Sequence, residues 1–517
     1  MNRMKLVTLA TAFVLAASAG AQSQQRPGDG YTPDVEAWNI AAPPPQETLV
    51  VRGATVWTAT DADILDNADV LVRDGKIAAV GTDLDTPRGA IEIDGAGMHV
   101  TPGLIDAHSH AAIIGGVNEA TDISTAQVRI EDVIDAESIN IYRQLAGGIT
   151  TINLLHGSAN AIGGQMAVIK MRWGAPPEEL IFDAATPGIK FALGENPKQS
   201  NWNNDDPRYP QTRPGVSQII TEKFQQAADY RREMDEMPTG RRARDVVPPR
   251  PDLEMEAIGE ILAGIRKIHS HAYRADEMRM LIDIAESFGI TVGTFQHVLE
   301  GYKLARRMAE HGAGASGFID WWNFKHEASD AISYNPALMH MAGVKVGLHS
   351  DNPELARRMN LEAAKAVRYG GVDEHEAMKM ITANPADQLG VGGRTGRLAE
   401  GFDADFVLWN GHPLSVYSRV EATWVDGRRY FDREADLAAR KALENERREL
   451  MAAVLAQEED KEEEKEDENG DDGTATPEFL IGYRASELAH DQFCHAQDFG
   501  HVFGSHIKGN EFGRGEE

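Results

Sequence analysis

The sequence predicts an α/β fold: a (β/α)8 barrel carrying a small β-sandwich assembled from both of its flanks. Three observations predict it. Strand-like and helix-like stretches alternate through the middle of the chain, as in βαβ units with a parallel sheet. Short β-rich bursts bracket that middle on both sides. Groups able to bind metal recur where predicted strands end, which is the end at which barrels place their chemistry. At 517 residues the chain exceeds one ordinary domain, but an elaborated barrel reaches over about 400.

Residues 1–21 combine Arg3 and Lys5, an apolar run and the small residues Ala19 and Ala21, which reads as a secretory signal peptide. The run falls short of the ~20 residues a membrane span needs. The expected location is therefore outside the cytoplasm, periplasmic or secreted. Residues 22–47, rich in Gln, Pro and Gly, read as an extended leader.

The first part of the sandwich is expected at 48–101, with turns at Asp74-Gly75 and Asp94-Gly95. The second part is expected at 396–431, with its turn at Asp426-Gly427. Between them, 102–395 should form the barrel. Its first strand ends at His108, and a helix from about Asp132 to Leu145 is stopped by Gly147-Gly148 before the strand ITTINLL. Further on come the helix ADEMRMLIDIAESFG, the strand ITVGTFQH, the helix EGYKLARRMAEHG and the strand ASGFID. A short helix near PALMHMAG, the strand VKVGLHSD and the helix ELARRMNLEAAKAVRYGG complete it. The polar stretch from Asn196 to about Pro251 is too long for a simple connection. It reads either as a carrier of substrate contacts or as a structural excursion, with one helix in TEKFQQAADYRREMDEM.

A charged helix at 432–457 either packs on the barrel or mediates assembly into a homo-oligomer. An acidic linker at 458–476 follows; Glu458 to Asp472 holds eleven acidic residues against Lys461 and Lys465, and reads as solvated and disordered. The tail at 477–517 contains His490, Cys494, His495, His501 and His506, in a spacing that matches no zinc motif. The net charge of -30 argues against nucleic acid and anionic membrane surfaces as partners. Cys494 is the single cysteine, so no intramolecular disulfide can form.

The most informative segment is MHVTPGLIDAHSHAAIIGG. His108 and His110 stand one residue apart, so on a strand they face the same side and can clamp one metal ion. Further groups recur at predicted strand ends: Lys190 in TPGIKFALGEN, His271 in IRKIHSHAYRADEM, His297 in TVGTFQHVLEG and Asp351 in VGLHSDNP. Together they point to a catalytic centre.

The motifs VTPGLIDAHSH, HAYRADE, TFQHVLEGY, GLHSDNP and NPADQLGVGGRTGRLAEGFDADFVLW resemble the metal-dependent amidohydrolase superfamily, in its imidazolonepropionase-like and prolidase-like branch. The resemblance covers about residues 48–431. It implies two divalent metal ions, zinc being expected, with His108 and His110 on the first and His271 and His297 on the second. It makes Asp351 a contact of the first ion and the acid/base, and Lys190 a lysine carboxylated by CO2 that bridges both. Lys170 rivals Lys190 for that role, and His269 shares a strand face with His271.

Around this centre, His156 with its Gly-rich loop, Tyr273 and Arg274 are expected to touch substrate. Arg274 could fork onto a substrate carboxylate or pair with Asp276 or Glu277. Trp321 and Trp322 either line the site or pack. The expected activity is hydrolysis of a C–N bond, an amide or peptide bond in a small substrate, as in a dipeptidase or N-acyl amino acid hydrolase. A cyclic amidase or deaminase on the same scaffold, or a metal-dependent binding protein without catalysis, are the alternatives.

Overall fold

The computed structural model describes residues 43–198, 208–238, 246–247, 249–321 and 324–466. The signal peptide, most of the leader, Trp322, the end of the acidic linker and the histidine-containing tail lie outside the described residues. Among the described residues, the N-terminal flank supplies β1 (Leu49–Trp57), β2 (Ile64–Arg73), β3 (Lys76–Gly81), β4 (Ile91–Asp94) and β5 (His99–Pro102). The central region supplies β6 (Leu104–Ser109), β7 (Ile149–Leu154), β8 (Ile162–Gln165), β9 (Ala167–Lys170) and β10 (Gly188–Ala192). It continues with β11 (Lys267–Ala272), β12 (Thr294–His297), β13 (Gly314–Gly317) and β14 (Val346–Leu348). The C-terminal flank returns β15 (Phe406–Trp409), β16 (Val420–Val425) and β17 (Arg428–Asp432).

The two flanks join in one sheet, in the order β17-β16-β15-β5-β1-β2-β3 with β4 on β1. The seam is the antiparallel pair β5 and β15, with Val100 opposite Leu408. Alternate residues turn inward, so Val51, Val56, Val70, Val72, Val100, Phe406 and Trp424 share one core. Phe406 stacks on Trp424 at 4.4 Å. The turns Asp74-Gly75 and Asp426-Gly427 hold both residues at positive φ, the geometry that closes a two-residue hairpin. Asp94-Gly95 does not close a hairpin: β4 and β5 both run parallel to β1. Gly95 instead lies against β1, where a Cβ would stand 2.7 Å from the Arg52 carbonyl.

In the central region β10 to β14 are consecutive and parallel, and β6 and β7 are parallel. Helices separate them, each burying one stripe. Ala275–Ser287 buries Met278, Leu281, Ile282 and Ala285, the spacing of a helix lying on a sheet. Gly301–His311 ends at Gly312, whose φ of 86° suits a left-handed cap. Two strands depart from the parallel pattern: β8 is antiparallel to β10, and β9 to β7. The ends of the two central sheets meet where Ser350, just after β14, bonds to Asp106 on β6.

Three elements differ from expectation. The helix expected from Asp132 forms only over Ile139–Leu145, because Ile134 bridges Ile113 and the Asp135 N–H donates to the Ala112 carbonyl. The helix after β14 is split into Pro353–Ala356 and Met359–Gly370, because Arg358 leaves helical geometry at φ −135° and ψ 26°. The last helix spans Arg433–Glu466, into the acidic run. Asp436 anchors it by accepting from the Tyr142 hydroxyl. From Leu437 to Leu455 every described side chain of that helix is exposed, Leu443, Leu450 and Val454 included. No helix among the described residues is long and apolar enough to cross a membrane.

Candidate metal centre

β6 is wholly buried and delivers His108 and, one step beyond its end, His110. Their Nε2 atoms stand 3.3 Å apart. The Nδ1 of His108 lies 3.2 Å from the Gln296 Oε1, and that of His110 lies 2.9 Å from the Leu155 carbonyl. Both acceptors fix the proton on Nδ1, so two Nε2 lone pairs point at one another. Asp351 Oδ1 closes the group, 3.5 Å from His108 Nε2 and 3.4 Å from His110 Nε2. Three lone-pair donors facing one point repel unless a cation lies among them, so this donor set fits a divalent ion.

A second set surrounds the first. His297 Nδ1 lies 3.1 Å from His349 Nε2, and the His349 ring stacks on His108 at 5.0 Å. His108, His297 and His349 can also converge on one ion. The His271 ring packs on His297 at 4.6 Å, and its Nε2 is buried with no hydrogen-bond partner. An orphaned buried imidazole nitrogen is costly and fits an ion. Lys190 Nζ lies 3.2 Å from His108 Nε2, so the strand-end lysine does reach the histidines.

Burial pushes His108, His271 and His297 well below the usual imidazole range, with the Lys190 or Lys325 ammonium or a neighbouring imidazole adding to it. His349 falls to about 3 for the same first reason. All four are therefore neutral near pH 7, the form that binds metal. His297 and Asp351 also sit at φ of 69° and 51°. Left-handed backbone in non-glycine residues is strained and clusters at functional sites.

Asp106, two residues before His108, is a supporting residue the sequence reading passed over. It accepts from the Ser350 Oγ at 2.5 Å, the Ser350 N–H at 3.0 Å and the His108 N–H at 3.2 Å. Burial pushes it up to about 6 despite these bonds. It ties the strand bearing the histidine pair to the loop bearing Asp351. His349 was passed over as well. Its signal was present in GLHSDNP, where it precedes Asp351 by two residues, as Asp106 precedes His108.

The rival assignments separate in space. Lys170 is fully buried away from the imidazoles, with Asp403 at 2.7 Å, Asp405 at 3.0 Å and Asp426 at 2.5 Å. Burial lowers its pKa, but the three carboxylates outweigh that and raise it. Carbamylation needs a neutral amine, so Lys170 is poorly suited to it. His269 lies opposite Lys190 in register, with its Nδ1 near the Gln296 amide at 3.4 Å, whereas His271 packs against His297.

At two of the expected substrate contacts the structure shows other partners. His156 Nδ1 is within 2.9 Å of the Gly157 carbonyl, and its Nε2 accepts from the Glu119 N–H at 2.9 Å. Both ring nitrogens are thus spent on backbone, and burial lowers its pKa to about 4. Arg274, its side chain 39% exposed, pairs with Asp276 at 3.0 Å. Tyr273 does stand at the site, with its ring 4.6 Å from His271 and 5.3 Å from His297. Trp321 stacks on Phe318 at 4.4 Å, and Phe318 lies 5.5 Å from the His297 ring.

A parallel α/β core that gathers imidazoles, a carboxylate and a lysine at its strand ends defines a metal-site protein of the barrel type. The chain belongs to the amidohydrolase family, whose model matches residues 99–430. An amidohydrolase, tasK, of Hapsidospora irregularis is 30% identical over 426 residues, or 74% of this chain. The chain spans only 43% of that relative's length. An imidazolonepropionase of Anaeromyxobacter sp. (strain K) is 26% identical over 421 residues, 71% of this chain and 90% of that protein. Relatives of that kind put the chain on the imidazolonepropionase-like branch of the superfamily. The crystal structure of an amidohydrolase from Thermotoga maritima MSB8 matches with a TM-score of 0.68 and 33% identity. It covers 74% of this chain and 100% of the other.

Proposed function

We propose that the protein is a metal-dependent hydrolase that cleaves a C–N bond, an amide or peptide bond, in a small substrate. The observation that carries this is the convergence of His108, His110 and Asp351 on one point, in a chain of the amidohydrolase family. His108, His110 and Asp351 would hold one ion, and His271 and His297 a second. Lys190, carboxylated by CO2, would serve both as an anionic bridge. Divalent ions there, zinc by preference, supply a hydroxide at neutral pH and polarise the carbonyl.

The chain's own groups do the rest. The Asp351 carboxylate takes a proton from the attacking nucleophile and hands it to the leaving nitrogen. Asp106 and Ser350 hold the Asp351 loop against the histidine pair. The neutral imidazoles keep their lone pairs inward, and the wall of Tyr273, Phe318 and Trp321 limits water around the reacting bond. The amino-terminal segment supports action outside the cytoplasm, on dipeptides or N-acyl amino acids.

A second reading rests on a specific observation. The relative matched over 90% of its length is named an imidazolonepropionase, which favours a cyclic substrate on the same machinery. A turnover screen of the zinc- and bicarbonate-loaded protein against dipeptides, N-acyl amino acids and cyclic amides separates the two. Asp351→Asn is run alongside. Turnover lost in the variant while metal is retained supports hydrolysis with Asp351 as acid/base. Equal turnover in both removes Asp351 from the mechanism, and silence with both ions bound points to a protein that binds without catalysis.

A further inference from the structure

The last helix, Arg433–Glu466, is about 50 Å long at 1.5 Å per residue. Its first turn is held to the body, where buried Asp436 accepts from the Tyr142 hydroxyl. Beyond that anchor the exposed apolar residues are not scattered. At 3.6 residues per turn Leu443, Leu450 and Val454 fall within about 40° of one another. They are 67%, 61% and 54% exposed. A stripe of large apolar side chains along an exposed helix is the half of a helix–helix seam that one chain supplies.

The charges on the helix select what completes the seam. Arg440 pairs with Asp436, and Arg448 donates to Asn445 and the Glu444 carbonyl. Glu446 and Arg447, between the two leucines, form no ion pair among the described residues. Turned end over end, the segment Leu443–Leu450 matches itself, with Leu443 falling on Leu450 and Glu446 on Arg447. The longer pattern has the same sense. Arg433–Arg448 carries five basic residues against four acidic, whereas Glu449–Glu466 carries eight acidic against Lys461 and Lys465. Two copies running in the same direction would set acidic half on acidic half. Running in opposite directions, each acidic half lies beside the basic-leaning half of the other helix and its positive N-terminal end.

We infer that this helix is the dimerisation element of the protein, and that its occupant is the same helix of a second copy, antiparallel about a two-fold axis level with Glu446 and Arg447. Leu443 packs on Leu450 of the second copy, and Glu446 pairs with Arg447 of the second copy, each contact being made twice by symmetry. Val454 comes level with the small Ala439 of the other helix. The stretch from Glu458 comes level with the other helix's start, which gives the acidic run a place at the interface. Because the same patch serves both copies, the contact closes as a dimer and does not propagate into a filament. The inference stands apart from the hydrolase reading, since no residue of the metal centre takes part.

Sedimentation equilibrium of the full chain reads the dimer constant, with metal content and thermal melting as controls for the folded body. The native chain should be a dimer. Leu443→Glu combined with Leu450→Glu should raise the dissociation constant at least about thirtyfold, the effect of losing one interface hot spot. Glu446→Arg and Arg447→Glu each set like charges face to face twice, and each should weaken the dimer at least about tenfold. Both reversals in one chain restore the pairing and should return the constant to within about threefold of native. A monomeric native chain would overturn the inference, and protection of Leu437–Leu455 from hydrogen exchange in that monomer would assign the face to the chain's own C-terminal residues. A dimer unmoved by the paired leucine variant would place the interface elsewhere, and reversals that fail to rescue one another would refute the antiparallel register.

Discussion

Replacing Lys170 by Met tests whether the two buried lysines divide their work as the structure indicates. Lys170 meets Asp403, Asp405 and Asp426 with no exposure of its side chain. Asp403 keeps Lys76 and Arg394, and Asp426 keeps Arg172, when the ammonium is removed. Asp405 is fully buried and keeps only neutral donors among its described contacts, the Thr395 hydroxyl and the Asp426 N–H. The variant therefore strands one buried carboxylate, which costs about 3–5 kcal/mol. For a folded body of roughly 400 residues, about 2.1 cal/mol/K per residue gives close to 0.85 kcal/mol/K, and Tm falls by about 4–6 °C. Calorimetric melting of the metal-loaded protein at pH 8 reads this directly. At pH 5 the loss shrinks, because Asp405, already raised by burial, takes up a proton once its cation is gone. Bound metal and turnover stay near native in the folded variant. A Tm unchanged to within about 1 °C, or loss of metal in Lys170→Met, would refute the division.

Other perturbations follow from the same geometry. Lys190→Ala should lower bound metal from two ions to one by elemental analysis and cut turnover at least about a hundredfold; a variant that keeps both ions shows that Lys190 is no bridge. Glu327 is pushed up to about 7, first by burial, above an unfolded value near 4.3. The folded state therefore binds the extra proton, and the stability Glu327 contributes is full below pH 4 and lost as pH rises toward 7. Glu327→Gln should flatten the fall of Tm between pH 5 and 8, and a variant with the native slope would remove Glu327 as its cause. Gly194 holds φ at 83°, and a Cβ there would stand 2.7 Å from a Glu327 carboxylate oxygen. Gly194→Ala should cost about 1–3 kcal/mol in urea unfolding, and a neutral result would show that the loop relaxes.

Much of the site was legible because strand periodicity is local. The His108 and His110 pair follows from the two-residue repeat alone, and its convergence needs only β6 to be a strand. The same logic placed Lys190, His271 and His297 at strand ends. What escaped were groups whose roles depend on distant partners. Asp106 and His349 stand two residues before His108 and Asp351, a spacing the sequence does show, but their partners lie on β12, β13 and each other's strands, far away in the chain. Arg274 and His156 show the converse. A sequence shows that a side chain can bind a ligand, but not that Asp276 or the Glu119 backbone already holds it. The alternation of strands and helices was readable through most of the central region. The reversal of β8 and β9 was not, since the direction of a strand in a sheet is set by what it pairs with.

The bond between Ser350 and Asp106 joins groups 244 residues apart. The candidate site therefore depends on a contact between the two ends of the central region, and the expectation is that it is completed late in folding. Loop closure over such a span is slow to find and is rewarded only when the remaining strands are in place. The histidine pair, made early, has no Asp351 to complete it until nearly the whole central region has been synthesised and folded. An ion held by His108, His110 and Asp351 would bind only once the two central sheets have joined, and would in turn hold that seam. A chain cut anywhere between residues 110 and 346 should keep the pair that begins the site and lose the ability to hold metal there.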